Sequence, residues 1–334
     1  MDPNRLKHPH LYPFWLGAGS GILVLLIAFA FFPYGSGYGS NAVPVFSNLW
    51  WMWHNMPEWE HSIFVPVICM VLIYLNRSAL LMAEIRPESR DGGVALGLAA
   101  LAFWVGFQID IVAFSFIIIH LTIGALILWF LGWQVLRAVL FPFAFLVFAW
   151  PFPFLDGMLA FPLRLLMSEI SHVFLNMVGV ANVKVGTSIV SAPDFARGIP
   201  QGGKFALDVA NPCSGIRSLF ALTMVTALYA YFSLKVMWKQ WALFLCAAPL
   251  AVMGNFGRIL MLTFGTLWFG SDFAIGSEEE PTAFHMASGF FVFVVALGGM
   301  VWLARLLEDK LPDHPLVAWR KIQKSGTTEK KDLL

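Results

Sequence analysis

Charge is scarce in this chain: of 334 residues, 12% are Asp, Glu, Lys or Arg and 59% are apolar, with mean hydropathy +0.74. Soluble domains carry about 25% charge, so a soluble enzyme is excluded. A disordered chain is excluded as well, because disorder requires low hydrophobicity and high net charge. Neither sign of charge dominates, with 21 basic and 20 acidic residues giving a net charge of +1. The basic excess that nucleic-acid binding demands is missing. The three cysteines, Cys69, Cys213 and Cys246, lie in or beside apolar runs and cannot form a disulfide framework. His54 and His61 do not make the zinc-binding HExxH helix, and His8 with His10 is a weak metal pattern. Neither a metal nor an organic cofactor is expected. There is no internal repeat and no low-complexity stretch.

What is present is apolar sequence in long runs. Crossing a hydrocarbon core takes about 20 residues, and such runs recur at Trp15 to Phe32, Ile63 to Leu75, Val94 to Phe107, Ile111 to Leu131, Ala138 to Trp150, Cys213 to Phe232, Trp241 to Phe269 and His285 to Ala304. They predict an all-α polytopic membrane protein with about eight transmembrane helices, in a single membrane-embedded domain over residues 1–334. Residues 14–150 hold spans one to five, 151–212 an extracytoplasmic segment, 213–305 spans six to eight, and 306–334 a charged tail. The first run follows Arg5 and Lys7 as a signal peptide would. Its exit, FFPYGSGYGS, offers no small-residue cleavage site, so a retained helix is expected.

Lys and Arg placement sets the orientation. Arg5 and Lys7 precede span one, Arg77, Arg86 and Arg90 follow span two, Arg137 follows span four, and Lys235 and Lys239 follow span six. Arg305, Lys310, Arg320, Lys321, Lys324, Lys330 and Lys331 follow span eight, which puts fifteen of the 21 basic residues on one side. Both termini are therefore expected in the cytoplasm of a cell whose plasma (inner) membrane holds the protein. The loops Pro33 to His61 and Gly270 to Phe284 contain no Lys or Arg, as outward loops should, and Trp50, Trp51, Trp53 and Trp59 suit an interfacial belt. Between spans five and six, Asp156 to Val180 has apolar residues at helical spacing broken by Arg164, Glu169, Ser171, His172 and Asn176. That pattern predicts an amphipathic helix on the outer surface. The runs VKVGTSIV and KFALDVA then predict a small β-hairpin.

Chemistry concentrates in the last three spans. Asn211 and Pro212 suit the cap and first position of a helix, which puts Cys213 in its first turn. Unpaired N–H groups and the positive end of the helix dipole there favour thiolate, and Ser214 is small enough to leave the sulfur accessible. Arg258 lies inside an apolar run, where an arginine is costly and marks a functional site. It stands 19 residues above Lys239, roughly 28 Å at about 1.5 Å per residue. The same reckoning places Cys213 roughly 33 Å above Lys235 and His285 roughly 30 Å above Arg305. Three reactive side chains thus reach one level, the outer boundary. Histidine can act as the base for a thiol nucleophile, and arginine can serve as donor to an oxyanion. Arg217, four residues after Cys213, either joins them or snorkels to headgroups. Asn255 either orients Arg258 or bridges helices.

The segments CSGIRSLFAL at Cys213, NFGRI at Arg258 and HMASGFFVF at His285, in that order, resemble the exosortase and archaeosortase family of membrane-embedded cysteine transpeptidases. The resemblance extends to HSIFVPVICMVLIYL, PFPFLDGMLAFPLRLL and LCAAPLAVMGNFGRI, and so covers most of the chain. It implies a catalytic triad of Cys213, Arg258 and His285. The implied partners are exported proteins ending in a short motif, often Pro-Glu-Pro, then a transmembrane helix and a basic cluster. The implied reaction is cleavage near that motif through a thioester, followed by transfer to a lipid or glycan acceptor, with the active site at the extracytoplasmic face. Asn211-Pro212 departs from the Glu-Ala pair found before the cysteine in many bacterial members, which bears on the subfamily and its signal. Two other readings compete: a hydrolytic intramembrane protease using the same residues, and a transporter or lipid-binding scaffold in which Arg217 and Arg258 grip an anion. The lack of two related halves weighs against a transporter.

Overall fold

The computed structural model describes residues 23, 26–35, 42–208, 216–276 and 282–308. These fall into two compact units, Met1–Pro153 and Phe154–Leu334.

In the first unit a short antiparallel pair, β1 (Pro33–Gly35) and β2 (Val43–Pro44), leads into α1 (Val45–Asn55). A 3-10 turn over Glu60–Phe64 runs into α2 (Val65–Leu75), followed by α3 (Arg77–Met82), α4 (Ser89–Gln108), α5 (Val112–Phe130), α6 (Trp133–Ala138) and α7 (Leu140–Phe145). Helices α4 and α5 form an antiparallel hairpin. It reverses at Asp110, whose φ of 52° is a left-handed conformation that Asp tolerates better than most residues. Thus Gln108 to Asp110 divides two helices, as the sequence suggests. Cys69 is buried and its thiol donates to the Pro142 carbonyl at 3.3 Å, tying α2 to α7. That makes it a packing residue.

In the second unit, α8 (Pro153–Met177) is followed by a three-stranded antiparallel sheet of β3 (Asn182–Val185), β4 (Ser188–Ser191) and β5 (Ala206–Asp208), in that order. The two runs expected to form a hairpin do pair, Ile189 of β4 with Leu207 of β5, and the first run also folds back on itself at Gly186 and Thr187, which adds a strand. In the loop between β4 and β5, Lys204 bonds to Asp194 and holds that carboxyl below the usual carboxylate range. Helices α9 (Ile216–Ser233), α10 (Met237–Phe269), α11 (Ser271–Ala274) and α12 (Ala283–Leu307) complete the unit. Met167 and Leu175 of α8, Ile189, Phe205 and Leu207 of the sheet region, and Ile259 and Leu262 of α10 share one buried core. The sheet is thereby held against the stretch of α10 that contains Arg258.

Six of the described helices are long and apolar enough to cross a membrane: α4, α5, α8, α9, α10 and α12. The protein is an all-α polytopic membrane protein with a small sheet, as expected. Spans three, four, six, seven and eight correspond to long helices. Spans two and five correspond to the shorter apolar helices Glu60–Leu75 and Leu140–Ala149, and most of span one lies outside the described residues. Helix α8 is the exception to the sequence reading, because by length and composition it belongs with the long helices. Its polar residues do not form one wet face. Ser171 is fully buried, His172 Nδ1 bonds to Asn182 Oδ1 at 2.7 Å, and Lys184 bonds to Glu169. Much of the polarity that suggested a surface helix fastens α8 to β3.

Candidate active site

Helices α9, α10 and α12 pack antiparallel to one another in succession. Near one end Ala230 of α9 and Leu234 just after it meet Leu243 of α10 and Met300 and Ala304 of α12. Further along, Leu222 meets Ala247, Ala251 and Ala296. Continuing in the same direction, α9 reaches its N-terminus, α10 reaches Arg258 and α12 approaches His285. Close approach of α10 and α12 depends on missing side chains. A β-carbon on Gly254 would stand 2.9 Å from Val292 Cγ1, too near to fit without displacement. Small residues serve this purpose between membrane helices, where lipid is as apolar as the packed side chains.

Arg258 is half-buried and lies against α12. A β-carbon on Gly289 would stand 3.4 Å from its guanidinium carbon, 3.5 Å from Nε and 3.6 Å from one terminal nitrogen. Gly289 follows His285 by one helical turn, so the guanidinium and the imidazole share a face of α12. The sequence-predicted pair is therefore brought together, with Arg258 about one turn deeper and its side chain covering the difference.

His285 is held at three points. Thr282 caps α12, its hydroxyl accepting from the His285 backbone N–H at 3.1 Å. The His285 carbonyl accepts from Ser288 Oγ at 2.7 Å. The ring's Nδ1 faces the Ile275 carbonyl at 3.3 Å, and since a carbonyl only accepts, Nδ1 carries the proton. The same carbonyl accepts from the Thr282 N–H at 3.3 Å, so one oxygen fixes both the cap and the ring. Nε2 is left unprotonated in the neutral ring, buried and without a hydrogen-bond partner among the described residues. That atom is free to act as a base.

Of the other expected residues, Asn255 is buried at 5% exposure, one turn before Arg258 on α10. Arg217 is exposed in the first turn of α9. Cys213 and Ser214 lie outside the described residues. The sequence reading missed the Ile275 carbonyl, which no residue type announces, and Gly289, which its position four residues after His285 could have marked. It also took Arg164 for part of a wet face. Arg164 Nε is buried on α8 without a hydrogen-bond partner among the described residues.

Together these features define a polytopic membrane protein with an arginine from within α10 and a histidine from the start of α12 juxtaposed. A family model, the transmembrane exosortases, matches residues 50–302, more than half of the chain. The chain belongs to that family, and with it to the membrane proteins of transpeptidase-type protein sorting, a cysteine-peptidase-like class. No curated protein and no solved structure matches it.

Proposed function

We propose that this exosortase cleaves the C-terminal sorting signals of exported proteins through a thioester on Cys213, with Arg258 and His285 completing the catalytic set, and passes the product to a lipid or glycan acceptor. The observation that carries the proposal is the Arg258–His285 pair, at the end of the bundle where α9 begins. Cys213 precedes Ile216 by three residues, and three residues of chain span at most about 11 Å.

In the proposed reaction His285 Nε2 takes the Cys213 proton, and the thiolate adds to the scissile carbonyl carbon. The oxygen that gains charge is met by the Arg258 guanidinium. Collapse of the tetrahedral intermediate breaks the C–N bond, and Nε2 returns its proton to the leaving amine. The acyl group remains as a thioester until an acceptor amine or hydroxyl attacks it. Throughout, the Ile275 carbonyl holds Nδ1–H, fixing the tautomer and stabilising the imidazolium that forms. Asn255 supports Arg258 from within the bundle, and Arg217 and Ser214 border the nucleophile. In the proposed topology both termini are cytoplasmic, the site opens at the extracytoplasmic face of the plasma membrane, and substrates carry a short motif of Pro-Glu-Pro type, a membrane helix and a basic cluster.

The test is Cys213→Ala in the full chain, co-expressed with a protein bearing such a signal. The variant should insert normally and leave the signal uncut, and processing at the wild-type rate would end the proposal. Mass analysis of the product's new C-terminus separates the acceptors: an added lipid or glycan supports transfer, and a free carboxylate points to hydrolysis.

A further inference from the structure

The inner stripe of α8 holds polar groups that the catalytic proposal does not use. Ala160, Met167, Ser168, Ser171 and Leu175 are all buried and fall on one side of the helix. Arg164 falls on the same stripe, one turn from Ala160 and one from Met167 and Ser168. Ser168 returns its hydroxyl to the Leu165 carbonyl at 3.0 Å. Arg164 and Ser171 do not settle their groups so locally: Arg164 Nε and Ser171 Oγ are buried without hydrogen-bond partners among the described residues. No ion pair to Arg164 occurs among the described residues either. A guanidinium with one nitrogen sealed in protein and no carboxylate beside it among the described residues is costly unless something supplies the acceptor. Met167 and Leu175 of the stripe share a core with Ile259, next to Arg258, and Phe284, next to His285.

We infer that Arg164 is a specificity-determining residue, binding a carboxylate on the polypeptide substrate through charge-assisted hydrogen bonds. The inference rests on the proposed function above. A peptide carboxylate is favoured over a lipid phosphate because Nε itself is buried on the stripe that faces the protein core, and a snorkelling arginine turns its whole head outward. Planar two-point recognition of carboxylate is what distinguishes arginine from lysine. A charged hydrogen bond of this kind corresponds to about 10- to 100-fold in affinity.

The experiment uses the full chain in neutral phosphatidylcholine vesicles and two synthetic probes, Pro-Glu-Pro followed by an apolar helix and an arginine cluster, and the same peptide with Pro-Gln-Pro. Binding is read on the Cys213→Ala protein, so affinity is measured without turnover. The expected result is that Arg164→Gln weakens the Glu probe by about 10- to 100-fold, that Arg164→Lys weakens it too, and that both variants bind the Gln probe as the unsubstituted protein does. In protein with Cys213 intact, Arg164→Gln should raise KM and leave kcat within a few-fold. Equal affinity of the unsubstituted protein for the two probes would overturn the inference, and this arm needs no Arg164 variant to fold. An equal loss on both probes would also overturn it, showing that Arg164 only supports the structure, as would a loss that appears only when anionic lipid is added. If Cys213→Ala still processes substrate, the catalytic proposal fails while the binding comparison stands.

Discussion

Replacing Arg258 by lysine separates charge from shape at the proposed oxyanion site. Three atoms of the guanidinium, its carbon, Nε and a terminal nitrogen, lie within 0.2 Å of the same distance from the point where Gly289 would carry a β-carbon, at 3.4, 3.5 and 3.6 Å. The plane therefore rests nearly flat on α12, with its N–H bonds directed along the helix surface that also carries His285. Lysine keeps the charge and most of the stem, so Arg258→Lys should fold and insert. Its single ammonium has no plane to seat on Gly289 and cannot present two N–H bonds in the same directions. Losing one oxyanion donor costs about 10² to 10³ in turnover, roughly 2.7–4 kcal/mol, and that loss is expected of Arg258→Lys, nearly matching Arg258→Ala. Gly289→Val should lower the rate as well, by displacing an intact guanidinium. Single-turnover cleavage in vesicles, with monodispersity checked in detergent, is the assay. If Arg258→Lys stays within tenfold of wild type, a positive charge alone suffices and the flat seat is irrelevant.

Thr282→Ala removes the hydroxyl that accepts from the His285 N–H and should cost about 1 kcal/mol of local stability. Turnover should fall with it and recover in Thr282→Ser; unchanged rate and unfolding temperature in Thr282→Ala would refute the cap's role. In a background with the native cysteines replaced, an impermeant thiol reagent applied to intact cells should label Ser47→Cys and Phe195→Cys but not Ser89→Cys, all three positions being exposed. The opposite pattern would put the proposed site on the wrong face for exported substrates. Cys69→Ala should retain processing, since its thiol only bonds the Pro142 carbonyl, and loss of cleavage in a folded Cys69→Ala protein would mean that the nucleophile had been misassigned.

The long helices were legible because burial in lipid imposes one rule on every residue, and a run of 19 apolar residues such as Val112–Phe130 obeys it without reference to anything distant. The pairing of VKVGTSIV with KFALDVA was legible for a related reason: alternating β-branched residues bounded by Gly and Pro act on neighbours near in the chain. The shape of α8 was legible and its surroundings were not. Arg164, Glu169, Ser171 and His172 read as a wet face because helical spacing records which residues share a side, and it cannot say whether that side meets water or protein. Asn182 and Lys184, the residues that take up His172 and Glu169, lie in a strand whose position against α8 depends on the tertiary fold.

The site followed the same division. Counting rise per residue from basic boundaries brought Arg258 and His285 to one level, and the structure sets them on one face of α12. Height is a one-dimensional quantity, so it can be summed along a chain. The side to which each residue turns requires a second coordinate, and a glycine contributes to it: Gly254 lets α12 close on α10, which brings the guanidinium over Gly289. An absent side chain contributes nothing to hydropathy, so such seats vanish into apolar runs when a sequence is read for hydrophobicity. The Ile275 carbonyl is harder still, since every residue has one and only the fold selects it. It receives the cap's N–H and the imidazole's Nδ1–H together. A shift of Ile275 would therefore disturb helix start and base tautomer at once, coupling the chemistry proposed here to the position of that one carbonyl.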